Sequence, residues 1–184
     1  MVGHPVPLTK EHNVSQFECG KPPLTDWLKK HALQSQSSGH TKTMVITDES
    51  NAVVGYYSYS VISVEHEDTT PERVKKGLAR YSIPVFLIAR LAIDVHHQGK
   101  GLGGRLLRHA LKRAALAAQK DVPLRAIVVD AIDEDAKAFY QRFDFQSWPV
   151  DGLRMWLMIK DLVATLKAVK STKRKHGTPQ GRLQ

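Results

Sequence analysis

The spacing of apolar residues changes several times along the chain, and each change predicts an element. Leu24, Trp27, Leu28, His31 and Ala32 recur three or four apart with Asp26 early, which predicts an amphipathic helix over 25–33. A polar break follows at 35–39. Thr43–Thr47 then reads as a strand, Asp48–Asn51 as a turn and Val53–Val64 as a long second strand, together a β-hairpin. Thr69 and Glu72 have capping-box spacing around Pro71 and predict a helix reaching about Arg80. Pro84 to Asp94 is nearly unbroken apolar sequence, the pattern of a central strand covered on both faces. Arg90 interrupts it. A buried arginine is costly unless paired, so it marks a site or a place where the strand opens onto a cleft, or it pairs with Asp94 or Asp130.

A glycine-rich stretch separates that strand from a helix running to about Gln119, whose Leu102, Leu106, Leu107, Ala110, Leu111, Ala114 and Ala118 keep helical spacing. Leu124–Ala131 predicts another strand, and Asp133–Phe143 a helix with acidic residues where the dipole favours them. Phe145–Trp148 and Met155–Lys160 are the closing strands. Leu162, Val163, Leu166 and Val169 predict a last helix running into a basic end. The elements amount to an α+β fold without internal repeats, divided into a body (1–160) and a C-terminal extension (161–184).

Composition narrows the class. The 184 residues are 42% hydrophobic, enough for one packed domain with an appendage and against wholesale disorder. The single Cys19 excludes a disulfide framework and a cysteine-built zinc site. The first ten residues lack the basic and apolar regions of a signal peptide, and no apolar run nears the roughly 20 residues that cross a bilayer. A cytoplasmic protein with no membrane association is expected. The net charge of +9 is uneven: residues 160–184 hold seven basic groups against one acidic, and the rest carries only +3. Such a basic end points to an anionic partner, nucleic acid first, or else to a solvated tail that aids solubility.

Four of the twelve glycines lie at 99, 101, 103 and 104, between an apolar strand and a helix. Backbone N–H groups at such a junction form an anion site, and missing side chains let a pyrophosphate approach. Gly99-x-Gly101-x-x-Gly104 formally matches a dinucleotide fingerprint. That motif opens a first βα unit, whereas strands precede this one and the nearest acidic candidate, Asp121, stands before the next strand instead of at its end. No GxxxxGK[ST] is present.

The alternative pattern is Gln98-x-x-Gly101-x-Gly103, which resembles the coenzyme A signature of the GNAT N-acetyltransferases. Its surroundings resemble the family over roughly residues 8–160. Phe17–Gly20, Asp26–Leu28, Val54–Tyr57, Ala89–Asp94, Gln98–Leu107 and Asp130–Phe145 are similar, in order and spacing, to a GNAT branch found as toxins of bacterial toxin–antitoxin pairs. Asp144 departs from it, standing where many relatives have Gly. Asp tolerates a left-handed turn, so the cap is expected to survive.

The resemblance implies a GNAT fold: a mixed, mostly antiparallel sheet flanked by helices, with a splayed strand pair forming the acetyl-CoA cleft. It implies transfer of acetyl from acetyl-CoA to the α-amino group of aminoacyl-tRNA, inhibiting translation, with a ribbon-helix-helix antitoxin and a homodimer as partners. Acetyl-CoA would be held by Leu91, Ala92, Ile93, Gln98, Gly99, Lys100, Gly101, Leu102, Gly103 and Gly104, with backbone N–H groups of Leu91–Ile93 for the oxyanion. Tyr140 occupies the family position that protonates the leaving thiolate, a task suited to a hydroxyl of pKa about 10; its alternative is packing between Phe139 and Phe143. Adjacent helical residues point about 100° apart, so Phe139 and Tyr140 are not expected to face the same layer.

No general base stands out. An α-amine of pKa about 8 is partly neutral at pH 7, which favours an aminoacyl ester over a lysine side chain. Given a tRNA substrate, Arg90, Lys29, Lys30, Arg73, Lys75, Lys76, Arg80, Lys173, Arg174 and Lys175 are candidate phosphate contacts, although such residues otherwise read as solvated faces. His96 and His97 point apart with no third ligand, so no metal is expected. Cys19 lacks the partners of a nucleophile and reads as filler. Two other functions fit less: acetylation of a protein N-terminus or small amine, and a non-catalytic CoA-bound module that docks nucleic acid or antitoxin.

Overall fold

In the computed structural model, residues 2–67, 70–120 and 122–175 are described, the side chains only as far as Ala168. Thr69, Asp121 and the side chains of Lys173, Arg174 and Lys175, all singled out above, lie outside the described residues. Among the described residues, seven strands form one sheet in the order β1-β2-β3-β4-β5-β7-β6. They are β1 (Val6–Pro7), β2 (Lys42–Thr47), β3 (Val53–Val64), β4 (Ile83–Ile93), β5 (Ala126–Asp130), β6 (Gln146–Ser147) and β7 (Arg154–Met158). Every neighbouring pair is antiparallel except β4 and β5, so the sheet is mixed and mostly antiparallel as expected.

The helices are α1 (Pro22–Lys30), α2 (Ala32–Ser37), α3 (Glu72–Lys75), α4 (Leu102–Lys120), α5 (Glu134–Gln141) and α6 (Ile159–Lys175). Three differ from expectation. α1 starts earlier than 25 because Pro22 and Pro23 occupy the first turn, where a missing N–H costs nothing. It breaks at His31, and Ser35–Ser37 continue as α2 in place of the expected polar break. α3 is a single turn: Lys76 is extended and Gly77 has φ +76°, which leaves Arg80 in a loop. The two-residue β1 went unforeseen because so short a strand carries no readable period.

Helices cover both faces. Leu106, Leu107, Ala110 and Ala114 of α4 pack with Ile88, Ile127 and Val129 of the sheet. The opposite face carries Trp27, Leu28 and Ala32 of α1–α2 over Val45, Tyr56 and Ala92. α6 is continuous with this body. Its Ile159 and Leu162 are buried in the α4-side core, and Val163 and Leu166 pack against it. A boundary after residue 160 therefore falls inside a helix whose first two turns are core.

One irregularity governs the centre of the sheet. Ser58 pairs with Arg90 but Tyr59 pairs with Ile88, so Ala89 is an extra residue in β4. Side chains alternate faces along a strand, and a bulge shifts that alternation by one. Phe86 and Ile88 point toward α4, as do Leu91 and Ile93 beyond the bulge; Arg90 and Ala92 turn toward α1.

At the end of α5 the chain reverses through Asp144, whose φ is +66°. Asp visits this region more readily than other non-glycine residues, and the Phe145 N–H bonds to Tyr140 O across the turn. Replacing Asp144 by Gly is expected to hold or raise stability in urea unfolding, whereas Asp144→Ala should lower it by about 1 kcal/mol. Equal stabilities of the two variants would show that φ imposes no constraint there.

Candidate active site

β4 and β5 pair only from Val85–Ile88 against Ala126–Val129, yet β4 continues to Ile93. Beyond the bulge the two parallel strands part, and a cleft of about 330 Å³ opens between them, lined by Leu91, Ile93, Gln98, Gly103, Phe139 and Tyr140. The direction of the free backbone groups follows from the ladder. The Asp94 N–H donates to Val54 O on β3. In an antiparallel pair alternate residues share this direction, so Ala92 also bonds to β3 while the N–H groups of Leu91 and Ile93 face the parted edge. Two of the three expected backbone donors are thus directed to the cleft.

The glycine-rich loop closes one end. Gly99 and Gly101 have φ of +73° and +75°, which favour glycine. The Arg105 N–H donates to Gly101 O, opening α4, and the N–H groups of the preceding turn have no intrahelical partner. A Cβ on Gly104 would lie 3.2 Å from Phe143, so the turn just past α5 is seated against α4 through this missing side chain. The Gln98 side chain is committed inward: its Nε2 donates to Ile93 O at 3.0 Å and Cys19 O at 3.1 Å. It ties the loop to the parted strand. Lys100 Nζ donates to His96 O.

Tyr140 is 6% exposed, and its ring packs against Phe139 and Phe145 at centroid distances of 5.2 and 5.6 Å. Its hydroxyl makes no hydrogen bond with a described residue. Burial pushes its pKa well above the ordinary phenol value, so the proton is present at neutral pH. Phe139 and Tyr140 both border the cleft, contrary to the expectation drawn from their angular separation. They reach it differently: Phe139 is half-buried along α4, whereas Tyr140 lies inside.

Residues that the sequence reading did not assign to the cleft complete it. Cys19, Lys21, Asp133 and Asp135 also line its walls. Lys21 Nζ and Asp133 Oδ2 are 2.6 Å apart, joining the segment before α1 to the N-terminus of α5. Hydrogen bonds from Lys21 and the Ala136 N–H hold the Asp133 carboxyl below its ordinary range. The early Phe17–Gly20 resemblance was the signal available for this wall. Cys19 is buried and bonded to Thr25, so it is core, in keeping with the filler reading.

The candidate cations are dispersed. Lys30 pairs with Asp26, Arg73 with Asp161, and Lys75 with Glu72. α3 is fastened beside the start of β4 by Arg125, which donates to the carbonyls of Arg73, Val74 and Lys76. The cleft lies at the other end of this eleven-residue strand, about 30 Å away. A second groove of about 890 Å³ starts at Gly101 and Gly104 and runs between α4, α5, β7 and α6. Arg108, Lys112 and Arg142 add cations there that were not singled out in the sequence.

Asp94 joins β4 to the loop. Its carboxylate accepts the Glu18 N–H (3.1 Å), the His96 N–H (3.0 Å) and a bond with His97 Nδ1 (3.2 Å). Burial raises its pKa, but these hydrogen bonds outweigh that and leave the value below the ordinary 3.8. A depressed carboxyl stabilises the fold fully above its unfolded value and loses that contribution as pH falls through the folded value. Asp94→Asn should therefore be less stable at pH 7, and its unfolding free energy should fall less steeply than wild type on acidification below about pH 4. Parallel pH curves in urea titrations would contradict this role.

Comparison with known proteins agrees with this geometry. Residues 39–147 match the family model described as an acetyltransferase (GNAT) domain. The chain is 39% identical over 168 residues to a tRNA-acetylating toxin of Mycobacterium tuberculosis (strain ATCC 25618 / H37Rv), covering 90% of this chain and 99% of that protein. Among solved structures, AtaT complexed with acetyl-methionyl-tRNAfMet superposes with TM-score 0.80 at 22% identity, covering 90% of this chain and 99% of that one. A mutant AtaT toxin bound to acetyl-CoA and the C-terminus of the antitoxin AtaR gives TM-score 0.76 at 22% identity, covering 90% and 98%. With a domain match over more than half its length and a relative aligned along nearly all of it, the chain belongs to the GNAT acetyltransferase family.

Proposed function

We propose that this protein transfers acetyl from acetyl-CoA to the α-amino group of aminoacyl-tRNA and thereby inhibits translation. The observation that carries the reading is the cleft itself. Two backbone donors, Leu91 and Ile93, and one buried protonated hydroxyl, Tyr140, converge on it, in a chain 39% identical to a tRNA-acetylating toxin. The pyrophosphate of acetyl-CoA would lie on the loop Gln98–Gly104 with its thioester between the parted strands. The amine attacks the thioester carbon, the Leu91 and Ile93 N–H groups take the developing oxyanion, and Tyr140 gives its proton to the departing thiolate.

The α-amine of an aminoacyl ester is neutral often enough at pH 7 to react without a strong base, in keeping with a cleft lined by no histidine among the described residues. Lys29, Lys30, Arg73, Lys75, Lys76, Arg80 and the basic end, including Lys173, Arg174 and Lys175, are assigned to the tRNA backbone. We further assign a ribbon-helix-helix antitoxin, a homodimeric assembly and a cytoplasmic location. These assignments rest on the toxin branch that the sequence resembles. Among the described residues no helix is long and apolar enough to cross a membrane.

Tyr140→Phe is expected to lower single-turnover acetylation of charged tRNA by about 100-fold or more while leaving acetyl-CoA affinity nearly unchanged. An unchanged rate would remove Tyr140 from the chemistry. Because Leu166 packs on the core, the informative truncation removes residues 170–184 only. It should spare acetyl-CoA binding, weaken tRNA binding and flatten its salt dependence, measured by titration at several ionic strengths.

A further inference from the structure

Arg90 is a charged group that the proposed chemistry leaves unused, and its setting is unusual. Its guanidinium carbon lies 4.3 Å from the centroid of the Trp27 ring. Among the described residues it makes no hydrogen bond and no ion pair. The two carboxylates expected as partners are occupied: Asp94 by Glu18, His96 and His97, and Asp130 by Arg154 at 2.7 and 3.1 Å. Arg90 is therefore not a structural ion pair. It is half-buried, and burial lowers its pKa with no carboxylate to offset the cost.

The stack fixes what this cation can do. A guanidinium lying on an aromatic ring uses its flat face and leaves its in-plane N–H donors free. Trp27 is itself held: it stacks on Tyr56 with centroids 5.9 Å apart and planes at 15°, and the Tyr56 hydroxyl donates to Leu24 O at 2.7 Å. The donors are thus oriented before any ligand arrives, which lowers the entropic cost of binding one. The same row of the sheet has further unmet polar groups. Thr43 pairs with Ser58, and Ser58 with Arg90; both hydroxyls are fully buried, without a hydrogen-bond partner.

The bulge at Ala89 decides which ligand this is. It turns Arg90 toward α1, whereas the glycine loop and α4 lie on the face of Leu91 and Ile93. A pyrophosphate on the loop and an anion at Arg90 are then on opposite faces of β4, with the parted edge between them. We propose that Arg90, held over the Trp27 ring, forms an anion subsite on the amine side of the cleft, and that it binds a phosphodiester of the acceptor strand next to the esterified terminal nucleotide. Oxygen pairs of a phosphate match the in-plane fork of a guanidinium. The subsite rests on the proposed function, in which the acceptor brings a phosphate with its amine.

The test compares charged tRNA with an aminoacyl nucleoside ester that has no phosphate. Arg90→Gln should raise the KM for charged tRNA about 10- to 100-fold, with a smaller rise for Arg90→Lys, which keeps charge but not the fork. Its salt slope for tRNA binding should fall by about one. The loss on the phosphate-free ester should stay under about threefold, and acetyl-CoA affinity, measured by calorimetry, should not move. An unshifted KM for tRNA, or equal losses on both acceptors, overturns the subsite. Weakened acetyl-CoA binding in step with the loss would give Arg90 to the CoA phosphates instead. Should Arg90→Gln melt early, Arg90→Lys and Trp27→Phe carry the same comparison. If the wild-type protein acetylates no charged tRNA, the proposed function falls and the subsite with it; wild-type activity with an unshifted variant removes the subsite alone.

Discussion

The whole site depends on the end of one strand pairing. β4 and β5 are held together by parallel ladder bonds for four residues, and then β4 goes on paired with β3 only. Unpaired backbone donors inside a protein are costly, so most are satisfied by the fold itself. Here two of them, at Leu91 and Ile93, face a cavity instead. The cost is sustained because both flanks are fixed. Gln98 and Asp94 tie the strand's end to the loop and to the segment before α1, and Tyr140 and Phe145 fill the wall behind α5. A fully paired sheet would have neither the donors nor the space.

The bulge one residue before Arg90 adds the second constraint. Were Ala89 an ordinary paired residue instead of an extra one, Arg90 would lie on the α4 face with Leu106, Leu107 and Ala110, where a cation has no partner. With it, apolar Leu91 and Ile93 take that face and Arg90 stacks on Trp27. On the proposed reading, this bulge divides the strand into an acyl-donor side and an amine-donor side. On the proposed reading the net charge divides in the same way: the helix N-terminus at the glycine loop serves the cofactor, and side-chain cations serve the tRNA.

Much of this was legible in the sequence, for physical reasons that differ by element. The long strands and α4 carry enough period to be placed within a residue or two, and the glycine-rich stretch is legible as a loop between strand and helix, where Gly99 and Gly101 take positive φ. Asp144 was foreseen as a left-handed turn and adopts φ +66°. What was missed involves geometry that no local pattern encodes. The single-turn α3 was overextended because its basic residues fit a helix as well as a loop. The partnerless Arg90 could not be told from an ion pair, since nothing in the sequence shows that Asp94 and Asp130 are occupied by other groups. The Lys21–Asp133 wall joins segments more than a hundred positions apart. The C-terminal extension was separated from the body by charge, while Ile159, Leu162, Val163 and Leu166 bind it there by packing.

The central claim is that the amine acetylated here is the α-amine of an aminoacyl ester on tRNA. It is tested most directly by incubating the protein with acetyl-CoA and a pool of charged tRNA, digesting the RNA with nuclease and weighing the terminal aminoacyl-adenosine. The account predicts that this fragment gains one acetyl group, and that uncharged tRNA and free peptides gain none. An unmodified fragment alongside an acetylated peptide N-terminus or small amine would contradict it.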